Sequence, residues 1–541
     1  MITYATMTSS WSIFQRNDHR LIHFICLLTL LMGISCSGSE NHQTDDDGLI
    51  DSTYVEPSDT SIYVCSVASG KEYPTFYIND STIHVSVDSG EKLSEIVLKF
   101  PKNVKCYKDS KEVISNQTVF DVSDFCNPAT FTISNSTGAY NKKRLIIYDL
   151  PVLIIDTPDG SPIISREERT DDCKVRIVDG GVLNDLGLAD IKSRGGSTWY
   201  QEKKPYNLKF KKQVGLLGMS KSKHWILLAN AFYDRTQLHN DVAFELARMT
   251  DFPWVQKGHF VELILNGDHR GLYYLVEKIG VEDNKINISK IRSTDLEGEA
   301  LTGGYLIEMY EAPGQHPYSF STDYFNKTGA SLSLDLGWIM KEPEEDIPSE
   351  QYDYVKKALN YMESLIWSDD SLKTGKYRDF FDIETAINWW LVEEVALNEE
   401  ASRTKNLYLY KERGDSRFYL GPPWDFDAWA FGMHYNGVCR FYCTETTLYF
   451  RQLFKDAFFI NRLKEKWSIL YPKWKSAIPD YIDSQYKLIY NSALRNETLL
   501  WTSWHELYNY PNKSYYECVE DMKHNFIVQL DWMDNQINNL K

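Results

Sequence analysis

Between about residues 60 and 150 the apolar positions recur with period two, as in Ile83, Val85 and Val87, then Ile96, Leu98 and Phe100, then Phe131 and Ile133, then Leu145 and Ile147. Turn formers such as Asp88-Ser89-Gly90 and Asn127-Pro128 punctuate these runs, so the pattern predicts a small Ig-like β-sandwich over 61–150. From 151 to 345 the pattern is mixed. Apolar runs predict strands at 206–210, 225–228, 260–265, 273–276 and 305–309, with a helix at 238–249 between them. Beyond 346 the period becomes helical, as in Tyr352, Val355, Leu359, Met362 and Ile366, and again in Ile383, Ile387, Trp390 and Leu391 behind a capping Asp382. The expected class is α+β, with a largely helical C-terminal part.

The N-terminus carries an address. The apolar run 21–32 is too short to span a bilayer, and the small residues Gly33 and Ser35 follow it just before Cys36. This reads as a signal peptide over 1–36 and resembles the lipobox of bacterial lipoproteins, in which the cysteine is lipidated. Residues 37–60, with Asp45, Asp46 and Asp47 among small polar residues, read as a flexible acidic tether. The expectation is a protein of the cell envelope, held on the outer membrane by its lipid and facing the periplasm or the exterior.

Charge and cysteines remove other classes. A net charge of -18 and a pI near 5.2 repel nucleic acid, and no basic aromatic tract offsets that field. The remaining cysteines are odd in number and show no paired CxxC spacing, which argues against zinc. In an oxidising compartment Cys106 with Cys126, and Cys439 with Cys443, are the nearest candidates for disulfides. Sequence alone does not fix the pairing.

Three stretches carry chemistry. In KSRGGSTWYQEKKPYNLKF, Arg194 stands beside a glycine pair and Lys203 and Lys204 precede a strand, the mixture of open backbone and cations that suits a polyphosphate. In FVELILNGDHRGLYYLVEKI, Asn266-Gly267 turns a hairpin whose returning strand ends at Lys278. A phosphate-holding strand lysine needs an acidic partner, and Glu308 or Glu262 on neighbouring strands is placed to supply one. In EEVALNEEASRTKNLYLYKERGDSRFYLGPPWDFDAWAFG, a polar loop with Asn398, Glu400 and Asn406 precedes a hairpin that delivers Asp425 and Asp427 among Trp424, Phe426 and Trp429. Two-residue spacing in an extended segment turns both carboxylates to one side, where hard oxygen donors suit Mg2+ or Ca2+.

These stretches, RGGSTW, KKPYNLKF, LLAN followed by an aspartate, ELILNGDHRGLYYLVEKI, GGYLIE and GPPWDFDAWAFG, resemble in order the motifs of the spore coat protein H (CotH) kinase family. The similarity is nearest to the CotH-like lipoproteins of Bacteroidetes. It implies an atypical kinase-like domain over 151–541 that uses ATP with Mg2+ (or Mn2+) to phosphorylate a secreted or surface protein. On that resemblance Asp425 is the principal metal ligand, Asp427 and Asn406 complete the shell, and Lys278 holds phosphates with Arg194, Lys204 and Glu308 beside it. Glu400 takes the place of the proton acceptor. It lies six residues before Asn406, where a kinase catalytic loop has an aspartate five residues before the asparagine. The departure supports a second reading, a kinase-like scaffold or surface protein- or glycan-binding module without transfer. A glycosidase is disfavoured, because its carboxylates must flank the bond from opposite sides.

Overall fold

The computed structural model describes residues 62–541 except 80, 135–139, 231–233, 312–313, 315, 329–335, 433–437 and 502–512. The signal peptide, Cys36 and the tether lie outside the described residues. Residues 63–148 form nine strands in one continuous ladder, which pairs Tyr63–Ser66 with both Glu72–Asn79 and Glu95–Lys99, and Thr82–Ser86 in parallel with Tyr140–Tyr148. Phe120, on an edge strand, meets Phe131, from the other half of the ladder, edge to face with ring centroids 5.1 Å apart. The ladder therefore curls over a single core of Val64, Ile83, Val85, Ile96, Leu98, Ile133 and Leu145. These are the alternating positions that the sequence marks as inward.

The next seven strands close a barrel in the order Val152–Asp156, Thr170–Asp179, Val182–Ser193, Tyr206–Val214, Ser222–Leu228, Asp268–Glu277 and Gly258–Leu265. Closure comes from parallel pairing of the first and last, with Val152 opposite Glu262. Ile155, Val175, Ile191, Leu208, Trp225, Leu263 and Leu275 fill the interior. Two of the strands, Thr170–Asp179 and Val182–Ser193, escape a hydrophobic pattern search. Much of Val182–Ser193 faces solvent, and its ladder partners rather than its own side chains hold it extended.

A second sheet runs Ser319–Phe320, Leu336–Glu342, Tyr305–Glu311, Leu407–Lys411, Tyr419–Leu420. It joins strands from both sides of the boundary expected at 345. The helix His239–Arg248 packs against the barrel's outer residues Ile226, Leu228, Tyr274 and Val276 in one core with this sheet and the C-terminal helices Ser349–Ile366, Ile383–Val395, Ala457–Arg495 and Tyr515–Asn539. Asp382 caps Ile383–Val395 by accepting from the Thr385 N–H at 2.9 Å, and Ser514 with Glu517 forms a capping box at Tyr515–Asn539. Among the described residues Cys106, Cys439 and Cys443 form no disulfide. The candidate disulfides are thus absent from a fold whose large apolar core does not need staples.

One buried ion pair joins three parts of the chain. Glu262 of the barrel accepts from Arg495 at 2.8 Å and from Ser492 at 2.6 Å, both on the long helix, and from His269 at 2.7 Å. Arg495 donates onward to the Ile147 carbonyl of the N-terminal domain at 2.9 Å. Burial works to raise the Glu262 carboxyl, but His269 and Arg495 hold it down at about 2. A carboxyl depressed on folding stabilises above its unfolded pKa and loses that contribution as pH falls toward its folded one. Glu262→Ala strands the Arg495 charge and is expected to cost about 3–5 kcal/mol in denaturant unfolding near neutral pH. The difference from wild type narrows on acidification between about pH 4.3 and pH 2.

Candidate functional site

The acidic loop is shaped by backbone that few residues adopt. After Ile383–Val395 the chain passes Leu397, Thr404 and Asn406, with φ of 53°, 58° and 59°, before Leu407–Lys411; after the hairpin Asp425 has φ of 72°. Such left-handed non-glycine residues cluster where the surroundings enforce them. The expected extended segment at Asp425 and Asp427 is therefore a correction: no strand continues past Leu420, and the turn at Asp425 brings the carboxylates together. Fixed partners hold the turn. Gln256 donates to the Pro423 carbonyl at 2.7 Å and Asn240 accepts from the Phe426 N–H at 3.0 Å. Trp424 stacks on Phe244 at 5.7 Å and Phe426 meets it edge-on at 6.2 Å. The rings are buried, while Asp425 and Asp427 remain half-buried at the surface of that core.

Carboxylate oxygens of Glu400, Asp425 and Asp427 lie within 4.8 Å of one another. Asn406 donates its amide to Asp425 at 2.5 Å, which leaves its carbonyl oxygen as a fourth hard donor. Burial pushes the Asp425 carboxyl up against the opposing pull of Lys405 and Arg194. Asp427 is pushed much further, by burial and then by Asp425, Glu400 and Asp234. Glu400 rises through burial and Asp425 although it is ion-paired with Lys405. Carboxylates crowded at one point favour a proton or a multivalent cation. The donor set fits a hard divalent ion.

Glu308, which acts on Asp425, is paired with a lysine outside the expected set. Glu308 binds Lys341 at 3.0 Å and accepts from the Tyr408 hydroxyl at 2.7 Å. Leu306 pairs with Glu342 and Ile307 with Met340, so Lys341 is the extra residue of a bulge, a device that re-aims a side chain. Burial disfavours the Lys341 charge, yet Glu308 raises its pKa. Arg194 lies 5.6 Å from the Trp424 ring centroid and acts on both aspartates.

Other expected residues fall elsewhere. Lys278 has Glu344 as its nearest acid, at 4.0 Å, and burial lowers its pKa. Neither Glu308 nor Glu262 is its partner, since Glu308 is taken by Lys341 and Glu262 by Arg495 and His269. Lys204 donates to the carbonyls of Trp199 and Gln201 at 2.7 and 3.1 Å, securing the glycine loop rather than facing the carboxylates. Lys341 and Lys405 were missed; the run GWIMKEPE, a lysine closing an apolar strand, was the available signal.

Protons and cations compete for this cluster, so Mg2+ or Mn2+ is expected to raise Tm near neutral pH and to do so less at about pH 5. Asp427→Asn should remove most of the shift in a thermal melt. An equal shift in that variant would place the cation elsewhere.

No curated protein matches the chain. The family model described as CotH kinase protein matches residues 191–535, well over half of the chain. That span contains Arg194, Glu308, Lys341, Glu400, Asn406, Asp425 and Asp427, all the groups gathered at the site. The chain belongs to the CotH kinase family.

Proposed function

We propose that this protein is an envelope-anchored atypical protein kinase, transferring phosphate from ATP to a side chain of a secreted or surface protein. The observation that carries the reading is the convergence of Glu400, Asp425 and Asp427, with Glu308 of the Glu308–Lys341 pair near enough to act on Asp425. Phosphoryl transfer needs positioning and charge neutralisation more than covalent participation by the protein. Asp425 and Asp427, with the Asn406 carbonyl and Glu400, would hold Mg2+ or Mn2+, which supplies neutralisation of the charge on the phosphate oxygens. Lys341, fixed by Glu308 and through it by Tyr408, supplies a cation to those oxygens without a large loss of side-chain freedom. Arg194, braced on Trp424, adds a second, and Lys278, which shares Glu344 with Lys341, a third. The buried indole and phenyl rings beneath the loop keep one side of the site dry and so strengthen each of these contacts.

Glu400 is the acid placed to accept the proton of the acceptor hydroxyl. Its ion pair with Lys405 competes with that role, and this contact favours the second reading, a kinase-like module that binds without transferring. The N-terminal address belongs to the proposal: lipid on Cys36 and the tether 37–60 would hold the domain at the outer membrane.

Saturable, Mg2+-dependent ATP binding by calorimetry is expected for wild type and is lost in Asp425→Ala. Lys341→Ala should weaken it about tenfold, the worth of one charge-assisted contact, and Lys278→Ala by less. Labelled phosphate appearing on an envelope protein with wild type but not Asp425→Ala supports transfer. Binding without label leaves the scaffold reading, and no binding at millimolar ATP rejects the kinase reading.

A further inference from the structure

The phosphotransfer reading leaves Asn398 without a role, although this residue is 2% exposed at the centre of the site. Its Nδ2 donates to Glu393 Oε2 at 2.9 Å and to the backbone carbonyl of Asp425 at 3.4 Å. Its Oδ1 accepts from the Glu400 N–H at 3.1 Å, and its own N–H donates to the Glu393 carbonyl at 3.0 Å. One side-chain amide thus reaches three places: the end of the helix Ile383–Val395, the start of the short turn Glu400–Arg403, and the loop beyond the hairpin. The left-handed Leu397, with φ of 53°, folds the chain back so that Asn398 enters this position.

Only an asparagine side chain suits these partners. The contact to Glu400 requires an acceptor, while those to Glu393 and the Asp425 carbonyl require a donor, and a carboxamide offers both on one planar group. An aspartate would keep the first contact and set a carboxylate against Glu393. Alanine would remove the side-chain tie between the Asp425 and Glu400 backbones. Partners that hold ligands from behind commonly govern how well a site takes its ion.

We infer that Asn398 is a positioning residue: braced by buried Glu393, it locks the Glu400 turn to the Asp425 loop so that the carboxylates stand assembled before a cation arrives. The inference rests on the phosphotransfer reading only in taking those carboxylates as the cation site. It concerns the apo protein, so binding of Mn2+ alone tests it.

The experiment is Mn2+ titration of the full chain without nucleotide, followed by electron paramagnetic resonance of the free ion. Thermal melting in the absence of metal accompanies each variant as the folding control. Asn398→Ala and Asn398→Asp are expected to bind Mn2+ about 10–100-fold more weakly than wild type. Glu393→Ala should weaken binding as well, and Glu393→Gln should restore it, because its amide oxygen accepts the same Nδ2–H. That rescue is a readout that bulk destabilisation does not produce, and it stands even where Asn398→Ala melts early. Wild-type affinity in both Asn398 variants overturns the inference, as does tighter binding by Asn398→Asp, which marks a charge effect instead. Normal binding by Glu393→Ala, or failure of Glu393→Gln to restore binding, overturns the bracing role. Absence of Mn2+ binding by wild type rejects the cation site itself, and with it the reading beneath.

Discussion

Bringing three carboxylates within 4.8 Å costs electrostatic energy in proportion to how dry the site is, and the surrounding architecture exists to hold that arrangement. Asp425 and Asp427 share one loop, but Glu400 comes from the far side of a hairpin. Their repulsion would open the loops if the backbone were free. It is not free: Gln256 and Asn240 grip the aspartate loop, Trp424 and Phe426 sink into the core around Phe244, and Lys405 draws Glu400 in. Rigid apolar packing and nearby cations hold together a cluster whose donor set fits a divalent ion.

The same logic governs the cationic side. A buried lysine loses its charge unless an acid faces it, and Lys341 keeps its own because Glu308 lies on the adjacent strand with Tyr408 behind it. The bulge at Lys341 aims it. Lys278, at the end of a long apolar strand, is the more conspicuous candidate in the sequence, but it meets only Glu344 at 4.0 Å. The two lysines sit in similar local sequences. What separates them is the identity of the neighbouring strand.

Assembly of the site also depends on contacts remote from it. Glu262 and Arg495 tie barrel, long helix and N-terminal domain in one buried network, and the helix His239–Arg248 packs against both the barrel and the aspartate loop. The N-terminal β domain is thus seated on the same framework as the site. Family membership accounts for the site-bearing span 191–535 and not for that seat.

Much of this protein is legible in its sequence alone. Period-two and period-3.6 patterns mark the β-rich start, the strands of the barrel and the helical end, because burial of one face imposes those periods directly. Asp382 announces its cap, Asn266-Gly267 its turn, and the order of motifs the family. Asp425 and Asp427 stand out as paired carboxylates amid aromatics, and Asn406 and Glu400 through the resemblance to the family's motifs. Tertiary structure alone decided the rest. Strands Thr170–Asp179 and Val182–Ser193 exist because a barrel needs closing, not because their own residues demand it. The turn at Asp425, the acids that face Lys341 and Lys278, the tie of Lys204 to its loop and the contacts of Asn398 all depend on which segments lie side by side. A side chain's type is local and visible in the sequence; its partner is set by the packing of distant segments, and charge, proton affinity and orientation follow the partner.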